Sequence, residues 1–230
     1  LIRGVRGTAG RRLVSVGGQG ADVPDSALEA LARLPGGHGV SLDRRVRGTL
    51  ERTGATIGAT FVRETLGLDG AGVGIAVIDS GVTSWHDDLG STRVSRFVDF
   101  VRFEAAPYDD YGHGTHVTGI IAGTGFDSGG ARSGIAPAAR IVALKVLDGL
   151  GAGRISGVIA AFGDVLANKD LHSIRIVNVS LGAPVYESYN TDFLTIAAKR
   201  LVDAGIVVVA AAGNRGVNDG HPQYGTVMAP

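Results

Sequence analysis

The sequence predicts an α/β fold, a doubly wound parallel sheet with helices on both faces, and three features predict it. Residues 74–79, 141–147, 174–181 and 206–212 are short, nearly continuous apolar runs, as expected for strands buried on both faces. Between them Ile155, Val158, Ile159, Phe162, Val165 and Leu166 recur at helical spacing, as do Leu194, Ala197, Ala198, Leu201 and Val202. Each strand-like run ends in a polar or glycine-rich tip. Strand alternating with helix implies right-handed crossovers and a parallel sheet. Ligands of such sheets bind beyond the carboxyl ends of the strands, so functional residues are expected just after each run.

Composition supports a globular chain and narrows the function classes. At 230 residues the chain can bury a sizeable core. With 44% hydrophobic and 19% charged residues it is globular rather than disordered. Lys+Arg and Asp+Glu are both 22, so no net field argues for a nucleic-acid or membrane partner. The lack of cysteine removes disulfides and thiolate metal sites. No apolar run reaches membrane-spanning length. The sequence opens at Leu1 without a charged-then-apolar leader, so localisation is not legible there.

The elements run as follows. Residues 1–56 are Arg- and Gly-rich with short elements only, and form a small α+β region. They hold a strand at 11–16, a helix that begins after Pro24 with Leu28, Leu31 and Leu34 on one face, and a strand at 40–46. Residues 48–58, polar and Thr-rich, read as a linker. From Gly70 the α/β pattern takes over. Asp192 is placed to cap the helix that carries Leu194, and Gly205 to stop it.

The candidate site is built from the tips. His113 stands between Gly112 and Gly114 where the apolar run of Val117, Ile120 and Ile121 begins, at a helix N-terminus with Thr115 in its first turn. The flanking glycines leave the imidazole open to a reacting partner, and such a ring moves protons near neutral pH. Asp79 ends an apolar strand, so its carboxylate needs a partner. Paired with His113 it can hold the imidazole in one tautomer and stabilise the imidazolium. Asn214 follows Ala211-Ala212-Gly213, small residues that admit another chain, and its amide can donate to a developing oxyanion. Gly151-Ala152-Gly153 and Ser180-Leu181-Gly182 would expose backbone groups at the same rim, suited to antiparallel pairing with an extended peptide. Each also has a plainer meaning: a turn histidine, a solvated strand-end Asp, a left-handed Asn, ordinary turn chemistry.

Together, Val77-Ile78-Asp79-Ser80-Gly81, His113-Gly114-Thr115-His116-Val117-Thr118-Gly119, Asn178-Val179-Ser180-Leu181-Gly182 and Ala211-Ala212-Gly213-Asn214 resemble the subtilisin-like serine proteases, in that family's order. The resemblance covers residues 57–230. It implies Asp79 as the histidine-orienting acid, His113 as general base and acid, and Asn214 as the oxyanion-hole side chain. It further implies that Gly151, Ala152, Gly153, Ser180, Leu181 and Gly182 flank the substrate backbone, that Ile155 and Leu181 line apolar side-chain pockets, and that His116 is structural. Residues before 56 resemble that family's inhibitory pro-segment. Secretion follows from the family alone. No cofactor is required. Calcium at Asp109 and Asp110, of a kind many loops in the family bind, lacks a ligand series at alternating spacing.

One part of the pattern is missing. The family's nucleophile is the Ser of G-T-S-M-A-x-P at the start of a long helix. The nearest string is Gly225-Thr226-Val227-Met228-Ala229-Pro230, with Val227 for Ser and one residue too few before the proline. Valine has no hydroxyl. Only 13 residues separate Asn214 from Val227, too few for the strands the family places there. The expectation is a domain truncated before its serine, with residues 224–230 a surface loop and apolar sheet surface left uncovered. Neither Ser80 nor Ser180 is nominated in place of that serine. Rival readings fare less well. Gly149-Leu150-Gly151-Ala152-Gly153 fails the last glycine of a dinucleotide fingerprint, and there is no G-K-[ST]. His113-x-x-His116 lacks the i, i+4 spacing and Glu of zinc helices. A non-catalytic peptide-binding protein with the same groove stays open.

Overall fold

A computed structural model describes residues 2–13, 18–33, 40–41, 50–90, 93–218 and 221–230. The chain divides into two compact units, Leu1–Gly48 and Thr49–Pro230. In the first, β1 (Thr8–Leu13) pairs antiparallel with β2 (Gly18–Asp22), and a 3₁₀ turn at Asp25–Ala27 runs into α1 (Leu28–Ala32). The strand therefore starts three residues before the expected one. The strand expected at 40–46 lies outside the described residues apart from its first two.

The second unit opens with α2 (Leu50–Thr56) and α3 (Ala59–Leu66). The stretch expected as a linker is thus mostly helix, because Leu50, Glu51, Arg52 and Ala55 are good helix formers among the threonines. Gly58 and Gly67, both left-handed, mark the two ends of α3. Arg63 pins α3 within this unit, donating to the Gly134 carbonyl at 2.5 Å and to Ser133 Oγ at 3.0 Å.

Then follow β3 (Gly74–Asp79), β4 (Val94–Asp99), α4 (His113–Ala122), β5 (Arg140–Lys145), α5 (Ile155–Asn168), β6 (Ile174–Val179), α6 (Phe193–Asp203) and β7 (Val207–Ala210), with a small hairpin of β8 (Val217–Asn218) and β9 (His221–Pro222). The five main strands are all parallel, in the order β4-β5-β3-β6-β7. β4 is absent from the sequence expectation. Ser95 and Arg96 interrupt its apolar pattern because it is an edge strand, and Arg96 leaves the sheet to meet Asp164 of α5 at 2.6 Å.

The sheet is doubly wound, as expected. Alternate side chains of β3 feed two cores. Ala76 and Ile78, with Val142 and Leu144 of β5, pack against Val158, Phe162 and Val165 of α5 and Leu194 and Leu201 of α6. Ile75 and Val77, with Ile141 and Ala143, pack on the other face against Val117, Ile121 and Ala122 of α4. Asp192 caps α6, accepting the Thr195 amide at 2.7 Å, and Gly205 follows its end at φ 80°. The outer strand β7 leaves Val207 and Val209 exposed, while Val208 packs on the α5–α6 core.

Candidate active site

β3 occupies the middle of the sheet. The chain goes from it to the β4–β5 side and later returns to the β6–β7 side, so the carboxyl end of β3 is the switch point where α/β sheets open a crevice. Asp79, the last residue of β3, stands there and is almost fully buried. Its neighbour across the crevice is His113, the first residue of α4: Nδ1 lies 2.8 Å from Oδ1 and 2.9 Å from Oδ2 of Asp79. An ionised carboxylate only accepts hydrogen bonds, so it selects the Nδ1–H tautomer. The lone pair is thereby left on Nε2, on a ring that is 42% exposed.

Glycine makes the approach possible. Gly114 faces the carbonyl of Gly81, and a Cβ there would collide with it. Gly81 itself sits at φ 111° against the carbonyl of Tyr108. The first turn of α4 therefore lies directly on the turn that follows Asp79. Ser80 stitches the two, its Oγ accepting the Gly114 amide at 2.9 Å and donating to Asp109 Oδ1 at 2.9 Å.

Asp109 caps this helix in place of Gly112, which has no side chain. It accepts from Thr115 N at 2.8 Å, Thr115 Oγ1 at 2.6 Å and Gly112 N at 2.8 Å. Thr115 Oγ1 in turn accepts the Thr83 amide at 3.0 Å. Burial pushes the Asp109 carboxyl up, but these hydrogen bonds outweigh burial and hold it below the usual carboxylate range. A negative charge beside a helix N-terminus is favourable in addition. Asp99, at the end of β4, behaves likewise: burial raises it, and the amides of Val101, Glu104 and Arg102 with the Tyr108 hydroxyl bring it below normal. Tyr108 is pushed up to about 12 by burial and by Asp99. Asp109 and Asp110, weighed above as calcium ligands, thus commit their carboxylates to protein donors, Asp110 to Lys145 and Arg102.

The other candidates sit on the same carboxyl edge. An isolated antiparallel bridge joins Leu147 to Gly153, and the turn between is held by Asp148, which accepts the Ala152 and Leu150 amides and is lowered by them. Gly151 leaves room for the Tyr111 ring, whose centroid is 6.4 Å from that of His113. Ala152, Gly153 and Ile155 are exposed on this rim. Ser180 and Gly182 are half-buried past the end of β6, and Leu181 packs partly on the core. Asn214 is exposed in the loop after β7. Because β7 is two strands from β3, that edge stands roughly 10 Å away at ordinary strand spacing. The structure brings Asp79 and His113 into contact. Asn214 shares their sheet edge without being joined to them by a hydrogen bond.

Residues 70–230 match the model of the Peptidase_S8 subtilase family. The chain belongs to the subtilase family. It is similar to the serine protease AprX of Bacillus subtilis (strain 168), with 36% identity over 217 residues, covering 91% of this chain and 48% of that protein. Subtilisin E of the same organism is 40% identical over 151 residues, 65% of this chain and 36% of the relative. The solved structure of a cold-adapted subtilisin-like serine proteinase superposes with a TM-score of 0.53 at 31% identity, covering 81% of this chain and 56% of that one. The chain spans about half, or less, of the length of these relatives.

In this subtilase the stretch expected as a surface loop is only partly one. Tyr224 and Val227 are exposed, but Ala229 is buried and pairs with Ala183 through two backbone hydrogen bonds of 2.9 Å. Met228 donates its amide to Ala212 at 3.1 Å, and its side chain fills the space beside Gly182 and Gly213. The missing side chains of those two glycines make room for the methionine, a packing role that turn chemistry alone does not announce. The reading from sequence also missed Lys145 and the capping role of Asp109. A lysine interrupting the apolar run 141–147 was the available signal for the first. A further cluster, His86, Asp87 and Asp88, brings potential ligand atoms within 4.8 Å of one another. Its Asp88 Oδ1 already accepts Phe126 N at 2.6 Å and Thr124 Oγ1 at 3.2 Å, and His86 Nδ1 accepts Asp88 N.

Proposed function

We infer that this chain carries the acid and base of a serine-type endopeptidase. The observation that supports it is the Asp79–His113 contact at the switch point of a subtilase sheet. Asp79 would fix the tautomer and stabilise the imidazolium. His113 Nε2 would take the proton of a serine hydroxyl as it attacks the scissile carbonyl, then return it to the leaving amine. Asn214 would donate to the oxyanion once substrate fills the crevice. The serine would come from outside these 230 residues, within a G-T-S-M-A-x-P segment, so the chain by itself would be inert. An extended polypeptide would pair with the rims at 151–153 and 180–182, with Ile155 and Leu181 meeting its apolar side chains. Residues 1–56 would act as the domain's own pro-segment, and secretion is the matching localisation. Among the described residues no helix is long and apolar enough to cross a membrane.

A fluorophosphonate probe and an extended peptide substrate test this directly. The 230-residue chain should take no label. The polypeptide that carries these residues together with its downstream reading frame should be labelled on one serine and should cleave the peptide. A peptide-binding module would bind the peptide in both forms and be labelled in neither.

A further inference from the structure

We propose that Lys145 is a positioning residue for His113, acting through Asp110; the proposal rests on the reading of Asp79 and His113 as the proton-handling pair. Lys145 ends β5, is the register partner of Asp79 across the parallel ladder, and is fully buried. An ammonium offers three N–H donors and no acceptor. All three are spent here: on Ser80 O at 2.6 Å, Leu147 O at 2.8 Å and Asp110 Oδ1 at 2.6 Å. The same Nζ lies 4.6 Å from the centre of the Tyr108 ring, and the side-chain Cδ passes close beneath Gly81.

Burying a cation is unfavourable unless it is paired and fully hydrogen-bonded, and an apolar side chain would suit the end of a core strand better. The strand ends do not need the ion to hold them together. Val146 N and Leu147 N already donate to the Asp79 carbonyl at 2.8 and 3.2 Å. What the ammonium adds is a fixed point for Asp110, three residues before His113. That loop has only the single bridge Gly81–Asp109 for regular structure, and Gly112 stands at φ 93° within it. The two adjacent carboxylates divide the task. Asp109 holds the first turn of α4, and Asp110 ties the loop down to the cation beneath the Asp79 turn. Arg102 reaches Asp110 Oδ2 from the solvent side at 3.3 Å with a side chain 60% exposed, a weaker outer contact.

Lys145→Met and Asp110→Ala in the 230-residue chain test the proposal, read by NMR through solvent exchange of the His113 Nδ1 proton. The groups against that ring are Asp79 from β3 and, from its own loop, Tyr111, whose ring centroid is 6.4 Å away. Loss of positioning frees the ring from Asp79, so both variants should exchange at least tenfold faster than the parent. Exchange within twofold of the parent in either variant overturns the proposal. Should Lys145→Met not fold, Asp110→Asn decides. It keeps an acceptor for Nζ while losing the charge, so its exchange should return to within threefold of the parent. Exchange equal to that of Asp110→Ala overturns the proposal. Arg102→Ala should leave exchange within twofold. Asp79→Asn separates the two ideas: if it leaves the Nδ1 proton protected, the pairing itself is wrong; if it abolishes protection while Lys145→Met and Asp110→Ala do not, only the role of Lys145 falls.

Discussion

The hydroxyl of Ser80 donates to Asp109 Oδ1 and accepts the Gly114 amide, each at 2.9 Å, so the residue after Asp79 and the residue after His113 share one oxygen atom. Ser80 is fully buried. Ser80→Ala would leave a buried amide unsatisfied and remove one donor from Asp109, at a cost of about 1–3 kcal/mol. Urea unfolding followed by circular dichroism should show the midpoint fall with an unchanged slope.

The same carboxylate makes stability depend on acid. Asp109 and Asp99 both have folded-state values depressed below the usual range, so the stability they contribute is present above the unfolded Asp value of about 4 and is lost as pH falls through their folded values. The urea midpoint should therefore drop as pH falls below about 4, and Asp109→Asn should flatten that drop. Tyr108 carries the opposite sign. Its folded value is raised to about 12, so its contribution is whole below about 10 and disappears as pH rises through about 12. Tyr108→Phe should remove that alkaline loss, which ultraviolet titration of the phenolate would follow independently.

Two glycines of α4 should respond in opposite ways to the same change. A methyl group at Gly114 meets the Gly81 carbonyl, whereas at Gly119 nothing stands within 4 Å. Gly114→Ala should cost about 1–3 kcal/mol through overpacking. Gly119→Ala should gain roughly 0.5–1 kcal/mol, as expected for alanine over glycine inside a helix. Thermal melts of the two variants side by side give the comparison.

Phe162 is the large aromatic of the α5–α6 face and is 1% exposed. Phe162→Ala should lose about 3–5 kcal/mol, the sum of transfer and cavity terms. If the far-UV spectrum holds while the near-UV spectrum collapses, this face alone maintains fixed packing in the second unit.

Much of the sheet was legible because buried parallel strands are written as unbroken apolar runs: residues 74–79 became β3 without adjustment. β4 was not, since an edge strand is only half buried and tolerates Ser95 and Arg96. Its arginine makes sense only once α5 brings Asp164 beside it. At the site, Asp79 and His113 were legible as a strand-end acid and a helix-start histidine. Their support was not. Asp109 lies four residues before the helix it caps, and Lys145 is a polar residue inside an apolar run, meaningful only when register sets it opposite Asp79. Met228 beside Gly182 and Gly213 likewise depends on the chain folding back across β6 and β7, a long-range contact with no local signature.

The central claim is that Asp79 holds His113 in the tautomer that makes Nε2 a base. Its most direct test is the turnover of Asp79→Asn in the peptidase-competent polypeptide described above. An amide at this position donates to the ring as readily as it accepts and so favours the wrong tautomer. The account predicts that kcat falls by about 10⁴-fold with KM nearly unchanged; a kcat within tenfold of the parent would contradict it.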